Sequence, residues 1–317
     1  MNELKILLIG CGKMGSSLLE GIVKSDNFDG MVDVVEPVIQ DSFKEDFKKS
    51  KVNFYSDIRE NKNTTNYDLI LIATKPNIYE EIFNGLKNNL IINDETLIVS
   101  ILAGIRISKI EEIVGSIPII RAMPNIAASV LEGMTALIGN KKITHEDILN
   151  ADLIFELIGE KMWLKNEAQM DSFTAISGSG PAYFFFFTEC LKNLAIEEGF
   201  TEDVSNKISQ QIIIGSGKLV KDSGIDPKEL RENVTSPNGT TEAGLKVLAD
   251  NKDMTITPTI FTDNSFIVQN EYRRVEKNYE HISDLSLFSS ALSDDNQVSK
   301  SHFFSNLGCT VSRLSQK

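Results

Sequence analysis

The chain has 317 residues, 41% hydrophobic and 24% charged, with a formal net charge of -13. That length suits two domains better than one, and the apolar share suffices for packed cores. The acidic balance, with no basic stripe against it, argues against a nucleic-acid partner, and no apolar run approaches the roughly 18–20 residues that span a bilayer. Cys11, Cys190 and Cys309 are odd in number and far apart, a reduced, cytoplasmic pattern. The three histidines, His145, His281 and His302, are too scattered for a metal site or a histidine-based triad. KILLIG near the start is too short for a signal h-region.

In chain order, Lys5–Ile9, Val32–Glu36, Asp68–Thr74, Thr96–Leu102 and Ile117–Met123 read as buried strands rich in Ile, Leu and Val. Helical periods lie between them at Ser16–Lys24, Ile39–Lys48, Ile78–Asn88 and Ser108–Val114. This alternation predicts an α/β fold, a doubly wound, Rossmann-type parallel sheet covered on both faces. Thr135–Ile138 and Lys161–Leu164 add two short strands around a helix at about His145–Leu157. Beyond Trp163 the pattern turns all-helical, with stretches at Pro181–Glu198, Glu202–Asp222, Pro227–Asn233, Thr241–Leu248 and Pro258–Asn278. The expected organisation is a dinucleotide-binding domain over 1–165, a helical dimerisation and substrate domain over 166–282, and a tail of unassigned role over 283–317.

Gly10-Cys11-Gly12-Lys13-Met14-Gly15 is a G-x-G-x-x-G between a strand and a helix. Gly10 permits the tight turn, Gly12 lets a pyrophosphate reach the backbone, and Gly15 lets helix and strand pack closely. The helix start supplies unpaired N–H groups and partial positive charge for the anion. Glu36 ends the second strand, where an acid accepts hydrogen bonds from the ribose hydroxyls of NAD and repels the 2′-phosphate of NADP. No Arg follows in EPVIQDSF to hold that phosphate, so NADH is favoured. Ala73-Thr74-Lys75-Pro76 and Ile101-Leu102-Ala103 close two further strands whose carboxyl ends face the same crevice.

VTSPNGTTEAGLKVL, Val234 to Leu248, places a Pro, an Asn-Gly pair and several hydroxyls ahead of an amphipathic helix. Pro237 and Gly239 hold a turn, and Thr240 or Thr241 is expected to cap the helix. Such a loop exposes several N–H groups at once and suits a carboxylate, with a spare hydroxyl for a second polar atom of the ligand. A heavily capped helix is the plainer alternative. Ser177-Gly-Ser-Gly-Pro181 reads as a small-residue turn with Pro181 at N1 of a long helix, and Tyr183 to Phe187 as packing.

IGCGKMG, ATKP, RAMPN (Arg121 to Asn125), SGSGPAYFF (Ser177 to Phe185) and LRENVTSPNGTTEAGLKVL are similar, in order and spacing, to the motifs of the pyrroline-5-carboxylate reductases. The resemblance covers roughly residues 4 to 280, and the last motif is the specific one. It implies NAD(P)H-dependent reduction of 1-pyrroline-5-carboxylate to L-proline. The glycine loop, ATKP and Ile101 to Ala103 would hold the cofactor. The loop Ser236 to Thr241, Asn238 and Gly239 included, would hold the substrate carboxylate. Thr241 would meet the ring nitrogen, and Glu167, Asn233 and Thr240 would line the same pocket. The family's position matching Glu36 is often a small hydroxyl residue that helps hold an NADP phosphate, and most members read Pro-Gly-Gly where this chain has Pro237-Asn238-Gly239. Asn tolerates a left-handed backbone, so the loop is expected to keep its shape. The resemblance further implies a homodimer, or an assembly of dimers, with the pocket completed between subunits.

Two other readings stay open at this level. One is a β-hydroxyacid dehydrogenase-like reductase of a small acid, which needs a lysine one turn into the helix after its second glycine motif. Here that turn reads Pro-Ala-Tyr-Phe, and Lys192 lies far along. The other is a non-catalytic nucleotide-binding sensor with a decayed substrate loop.

Overall fold

The computed structural model describes residues 4–24, 28–61 and 67–250. Apolar runs and helical periods alternate as β1 (Lys5–Ile9), α1 (Lys13–Lys24), β2 (Met31–Val35), α2 (Asp41–Glu45), β3 (Val52–Tyr55), β4 (Leu69–Ile72), α3 (Tyr79–Asn88) and β5 (Leu97–Ser100). Then come α4 (Ile107–Val114), β6 (Ile119–Met123), β7 (Gly133–Gly139), α5 (His145–Glu156) and β8 (Gly159–Trp163). The strands form one sheet in the order β3-β2-β1-β4-β5-β6-β7-β8. All neighbours are parallel except β6 with β7. The winding reverses between β1 and β4, and a crevice opens at the carboxyl ends of strands at such a point.

The two faces of β1 explain why its run is continuously apolar. Ile6 and Leu8 pack with Leu18, Leu19 and Ile22 of α1 and with Ile154 and Phe155 of α5. Leu7 and Ile9 turn the other way, toward Phe83 and Leu86 of α3 and Ile107 and Ile110 of α4. A strand covered on both sides has no polar position to alternate with, and each such buried side chain contributes about 1.5–3 kcal/mol. The expected strands at 32–36, 68–74, 96–102 and 117–123 form with their ends trimmed. The trimmed residues Glu36, Ala73, Thr74, Ile101 and Leu102 lie just past the strand ends, where ligands gather.

β3 was not expected from the sequence. It is a four-residue edge strand with Val52 and Phe54 on one side and Asn53 on the other. Phe54 meets Phe43 and Phe47 edge to face, with ring centroids 6.3 and 5.9 Å away. Folding those two rings onto β3 shortens the expected helix at 39–48 to Asp41–Glu45. On the opposite face, buried Asp33 of β2 accepts hydrogen bonds from Asn53 (2.8 Å), Asn61 (2.7 Å) and the Tyr67 hydroxyl (2.6 Å). Burial first, and then the hydrogen bond to that carboxylate, push the Tyr67 hydroxyl well above its ordinary pKa.

After β8 the described chain is helical: α6 (Gln169–Phe173), a π-helical turn (Thr174–Gly178), α7 (Gly180–Glu197), α8 (Glu202–Ser223), α9 (Pro227–Asn233) and α10 (Thr240–Asp250). Ser177 to Pro181 is therefore not an open turn with Pro181 at N1. The residues flanking the π-helical segment, Phe173 and Ser179, both keep helical dihedrals, and α7 begins one residue before Pro181. Pro181 has no amide to donate, which favours a local widening of the helix over a stop. The described residues form two compact units, one up to Phe187 and one from Thr188. Residues 166–187, given to the helical domain by the sequence pattern, pack within the first. The helix expected at Pro258–Asn278 and the tail from 283 lie outside the described residues. Among the described residues no helix is long and apolar enough to cross a membrane.

Candidate functional site

The loop between β1 and α1 is built by close approach of backbones. Gly10 sits at φ +92°, and a side chain there would meet the Ala73 carbonyl group at 2.7 Å. Its amide donates to the Val35 carbonyl (3.0 Å), while the Ala73 amide donates to that of Ile9 (2.7 Å). A Cβ on Gly15 would press on the Gly10 carbonyl oxygen. Gly12 differs from both: nothing lies within 4 Å of the place where its Cβ would stand. The Ser16 amide closes the first helical bond on the Gly12 carbonyl (2.8 Å). The amides of Lys13, Met14 and Gly15 therefore head the helix with no acceptor one turn back, at its positive end.

Glu36 is half-buried beside this loop. Its Oε2 accepts from the Cys11 amide at 2.8 Å and its Oε1 from the Val38 amide at 3.2 Å. A carboxylate oxygen takes two hydrogen bonds, so each keeps a lone pair for a ribose hydroxyl. The Cys11 thiol is pushed up to about 12, by burial first and then by the charges of Glu36 and Glu20.

At the end of β4, Ala73, Thr74 and Pro76 are half-buried and Lys75 is exposed. The Thr74 hydroxyl is buried and has no hydrogen-bond partner among the described residues. At the end of β5, Ile101 is half-buried, Ala103 is exposed, and Leu102 turns into the core at 1% exposure. Leu102 can thus offer a ligand only its backbone. Open space at Gly12, unpaired first-turn amides and an orphaned hydroxyl at Thr74 are what a dinucleotide diphosphate and its flanking groups would use. The residues fit such a cofactor.

Two polar ties that the sequence did not reveal hold the neighbouring strand. Glu167 Oε1 accepts from the Ile107 amide (3.0 Å) and from Arg121 (2.9 Å), whose side chain is 3% exposed. Glu167 thus caps α4 and neutralises a buried guanidinium on β6. Asn125, two residues past β6, accepts from the amides of Ala127 (3.2 Å) and Met134 (3.3 Å). Its amide group donates to the carbonyl and hydroxyl oxygens of Ser177, both at 3.2 Å. Asn125 therefore fastens the π-helical turn to the carboxyl end of β6. The motif RAMPN marked this segment, but only long-range contacts assign its partners.

In the second unit, the loop from α9 to α10 carries the other residues. Thr235 returns its hydroxyl to the Arg231 carbonyl (2.6 Å), and the Gly239 amide bonds the Ser236 carbonyl (3.0 Å). Asn238 adopts φ +61°, the left-handed conformation expected of it. Neither Thr240 nor Thr241 caps the helix, contrary to expectation. Gly239 supplies the first helical acceptor, to the Ala243 amide (3.2 Å), and Glu242 reaches back to the Asn238 amide. Among the described residues the hydroxyls of Ser236, Thr240 and Thr241 make no hydrogen bond, and these residues and Asn233 are exposed.

Two family models match. One, described as pyrroline-5-carboxylate reductase dimerisation, covers residues 167–258; the other, described as NADP oxidoreductase, coenzyme F420-dependent, covers 5–104. The pyrroline-5-carboxylate reductase of Methanosarcina acetivorans is 35% identical over 257 residues, 79% of this chain and 91% of that protein. A solved pyrroline-5-carboxylate reductase from Coxiella burnetii superposes with a TM-score of 0.74 at 28% identity, covering 86% of this chain and 99% of that one. One from Plasmodium falciparum, solved with NADP bound, gives 0.69 at 30% identity, covering 86% and 97%. With its glycine loop and this degree of likeness along most of its length, the chain belongs to the pyrroline-5-carboxylate reductase family.

Proposed function

We propose that the chain reduces 1-pyrroline-5-carboxylate to L-proline, the last step of proline biosynthesis, with NAD(P)H as the reductant. The observation that carries this is the 35% identity to a pyrroline-5-carboxylate reductase across 91% of that protein. The relatives do not favour the hydroxyacid-dehydrogenase or the sensor reading. A reduced nicotinamide supplies a hydride when bound; the remaining work is the protein's. Gly10 to Gly15, Glu36, Ala73 to Pro76 and Ile101 to Ala103 hold the cofactor. NADH is the favoured form, because a carboxylate at the end of the second strand repels a 2′-phosphate and no Arg follows in EPVIQDSF to hold one. Ser236, Asn238, Gly239 and Thr240 receive the substrate carboxylate, and the family resemblance assigns Glu167 and Asn233 to the same substrate. Thr241 donates its spare hydroxyl at the ring nitrogen, orienting the imine and aiding its protonation. A protonated imine is already electrophilic, so positioning is the main contribution, worth roughly 7–11 kcal/mol for two reactants in near-attack geometry.

The helical segment supports a homodimer. α7 has no buried residue among its 18, and Phe184 and Phe185 are 60% and 65% exposed. A helix of that composition requires a covering surface. A second copy of the chain meets the need, and a higher assembly of dimers extends it. The cysteine pattern, odd in number and widely spaced, supports a cytoplasmic location.

The test is a spectrophotometric assay with NADH or NADPH and 1-pyrroline-5-carboxylate. Rapid oxidation of the cofactor is expected, faster with NADH. Oxidation only with a hydroxy- or keto-acid partner, or binding without turnover, would sink the assignment.

A further inference from the structure

Glu36 is placed to do more than contact ribose. Its carboxylate reaches from the end of β2 to the amide of Cys11, inside the glycine loop, and its other oxygen holds the Val38 amide of its own turn. Among the described residues the loop's other amide ties are at its two ends, the Gly10 amide on Val35 and the Ser16 amide on Gly12, while the Cys11 and Met14 side chains pack on the core beneath it. Between those ties, among the described residues, the Glu36–Cys11 bond is the one hydrogen bond to a loop amide, and it sets the tilt of the peptide that joins Gly10 to Cys11. It also consumes a loop amide, which directs an incoming diphosphate to the amides that follow.

We propose that Glu36 is a positioning residue for the diphosphate-binding loop, so that it governs the affinity of nucleotides with no adenosine ribose at all. The proposal rests on the cofactor reading above and deepens it. Two effects of this side chain oppose each other and can be separated by sign. As a bare negative charge near an anion, Glu36 weakens phosphate binding, and its removal strengthens it. As the anchor of the loop, it strengthens phosphate binding, and its removal weakens it. The charge-assisted bond to Cys11 is short and half-buried, and the anchoring effect prevails.

The probe is reduced nicotinamide mononucleotide, which carries the nicotinamide, one ribose and one phosphate, and lacks the adenosine that Glu36 would contact directly. Its fluorescence titration needs no turnover. Full-length Glu36→Ala is expected to bind it about tenfold more weakly than wild type, the loss of one hydrogen bond to a charged group. Glu36→Gln, whose amide oxygen can still accept from Cys11, is expected to recover most of that affinity, which a loss of folding would not allow. Equal affinity of wild type and Glu36→Ala, tighter binding by Glu36→Ala, or no binding to any of the three proteins overturns the proposal. Cofactor oxidation by wild type with 1-pyrroline-5-carboxylate, measured alongside, reports separately on the cofactor reading. If it proceeds while the mononucleotide titrations coincide, only the loop-positioning role falls.

Discussion

Gly12 and Gly15 sit in one motif three residues apart, and replacing each by Ala should break different things. The Gly15 Cβ would overlap the Gly10 carbonyl oxygen and lie 3.1 Å from its carbonyl carbon and 3.4 Å from the Ala73 Cβ. The first two are backbone atoms of a turn already held at φ +92° and tied to Val35, so the helix must move instead. Overpacking of this kind costs about 1–3 kcal/mol, which in a unit of this size lowers Tm by roughly 2–12 °C. At Gly12 the same methyl group meets nothing within 4 Å, so stability should stay within about 0.5 kcal/mol of wild type. The methyl would instead fill the space through which a diphosphate approaches the amides, and KM for NADH should rise about tenfold or more. Calorimetry of the cofactor-free proteins and steady-state kinetics read the two effects apart. Gly12→Ala with a wild-type KM, or with a melting point as low as that of Gly15→Ala, would refute the division of roles.

Thr241→Ala should lower kcat strongly and leave cofactor affinity unchanged in a fluorescence titration; loss of cofactor binding instead would remove the assigned role. Asn238→Gly should be neutral, because φ +61° suits glycine, whereas Asn238→Ala should cost about 1 kcal/mol and raise KM for the substrate. A shift of the loop that left KM unchanged in Asn238→Ala would separate its shape from carboxylate binding. Burial and two nearby carboxylates hold the Cys11 thiol at about 12, so at pH 8 its thiolate is scarce. Peptide mapping after brief iodoacetamide treatment at pH 8 should find Cys11 intact in the folded protein and alkylated only after denaturation, and rapid labelling of Cys11 without denaturant would contradict the burial of the loop.

The first half of the fold was legible because both faces of its central strands are covered, which leaves uninterrupted apolar runs such as Lys5–Ile9 and Leu69–Ile72. β3 escaped because an edge strand of four residues leaves only Val52 and Phe54 as its apolar alternation. The antiparallel β6–β7 pair escaped for another reason, since local pattern carries no information on pairing direction. The glycine loop could be read directly, each glycine answering a steric demand of its own. Its partner Glu36 was read as a ribose ligand, while the bond to Cys11 depends on a crossing of 25 positions. At the second loop the composition identified the segment but misassigned its cap. A Thr ahead of a Glu suggests a hydroxyl cap, yet Glu242 already reaches the Asn238 amide, and among the described residues the hydroxyls make no hydrogen bond. Asn125 and Arg121 were visible as motif members only, because their partners lie 52 and 46 residues away.

The Arg121–Glu167 pair bears on how the chain can be cut. The dimerisation family model starts at residue 167, and a fragment ending just before it would look like a tidy excision of the sheet. Such a fragment would strand a guanidinium that is 3% exposed with no counter-charge, and would uncap α4 in the same stroke. Desolvated cations without partners are among the costliest defects a folded protein can carry. A fragment that keeps this pair must therefore run past Glu167, and the first compact unit does so, extending to Phe187 within α7.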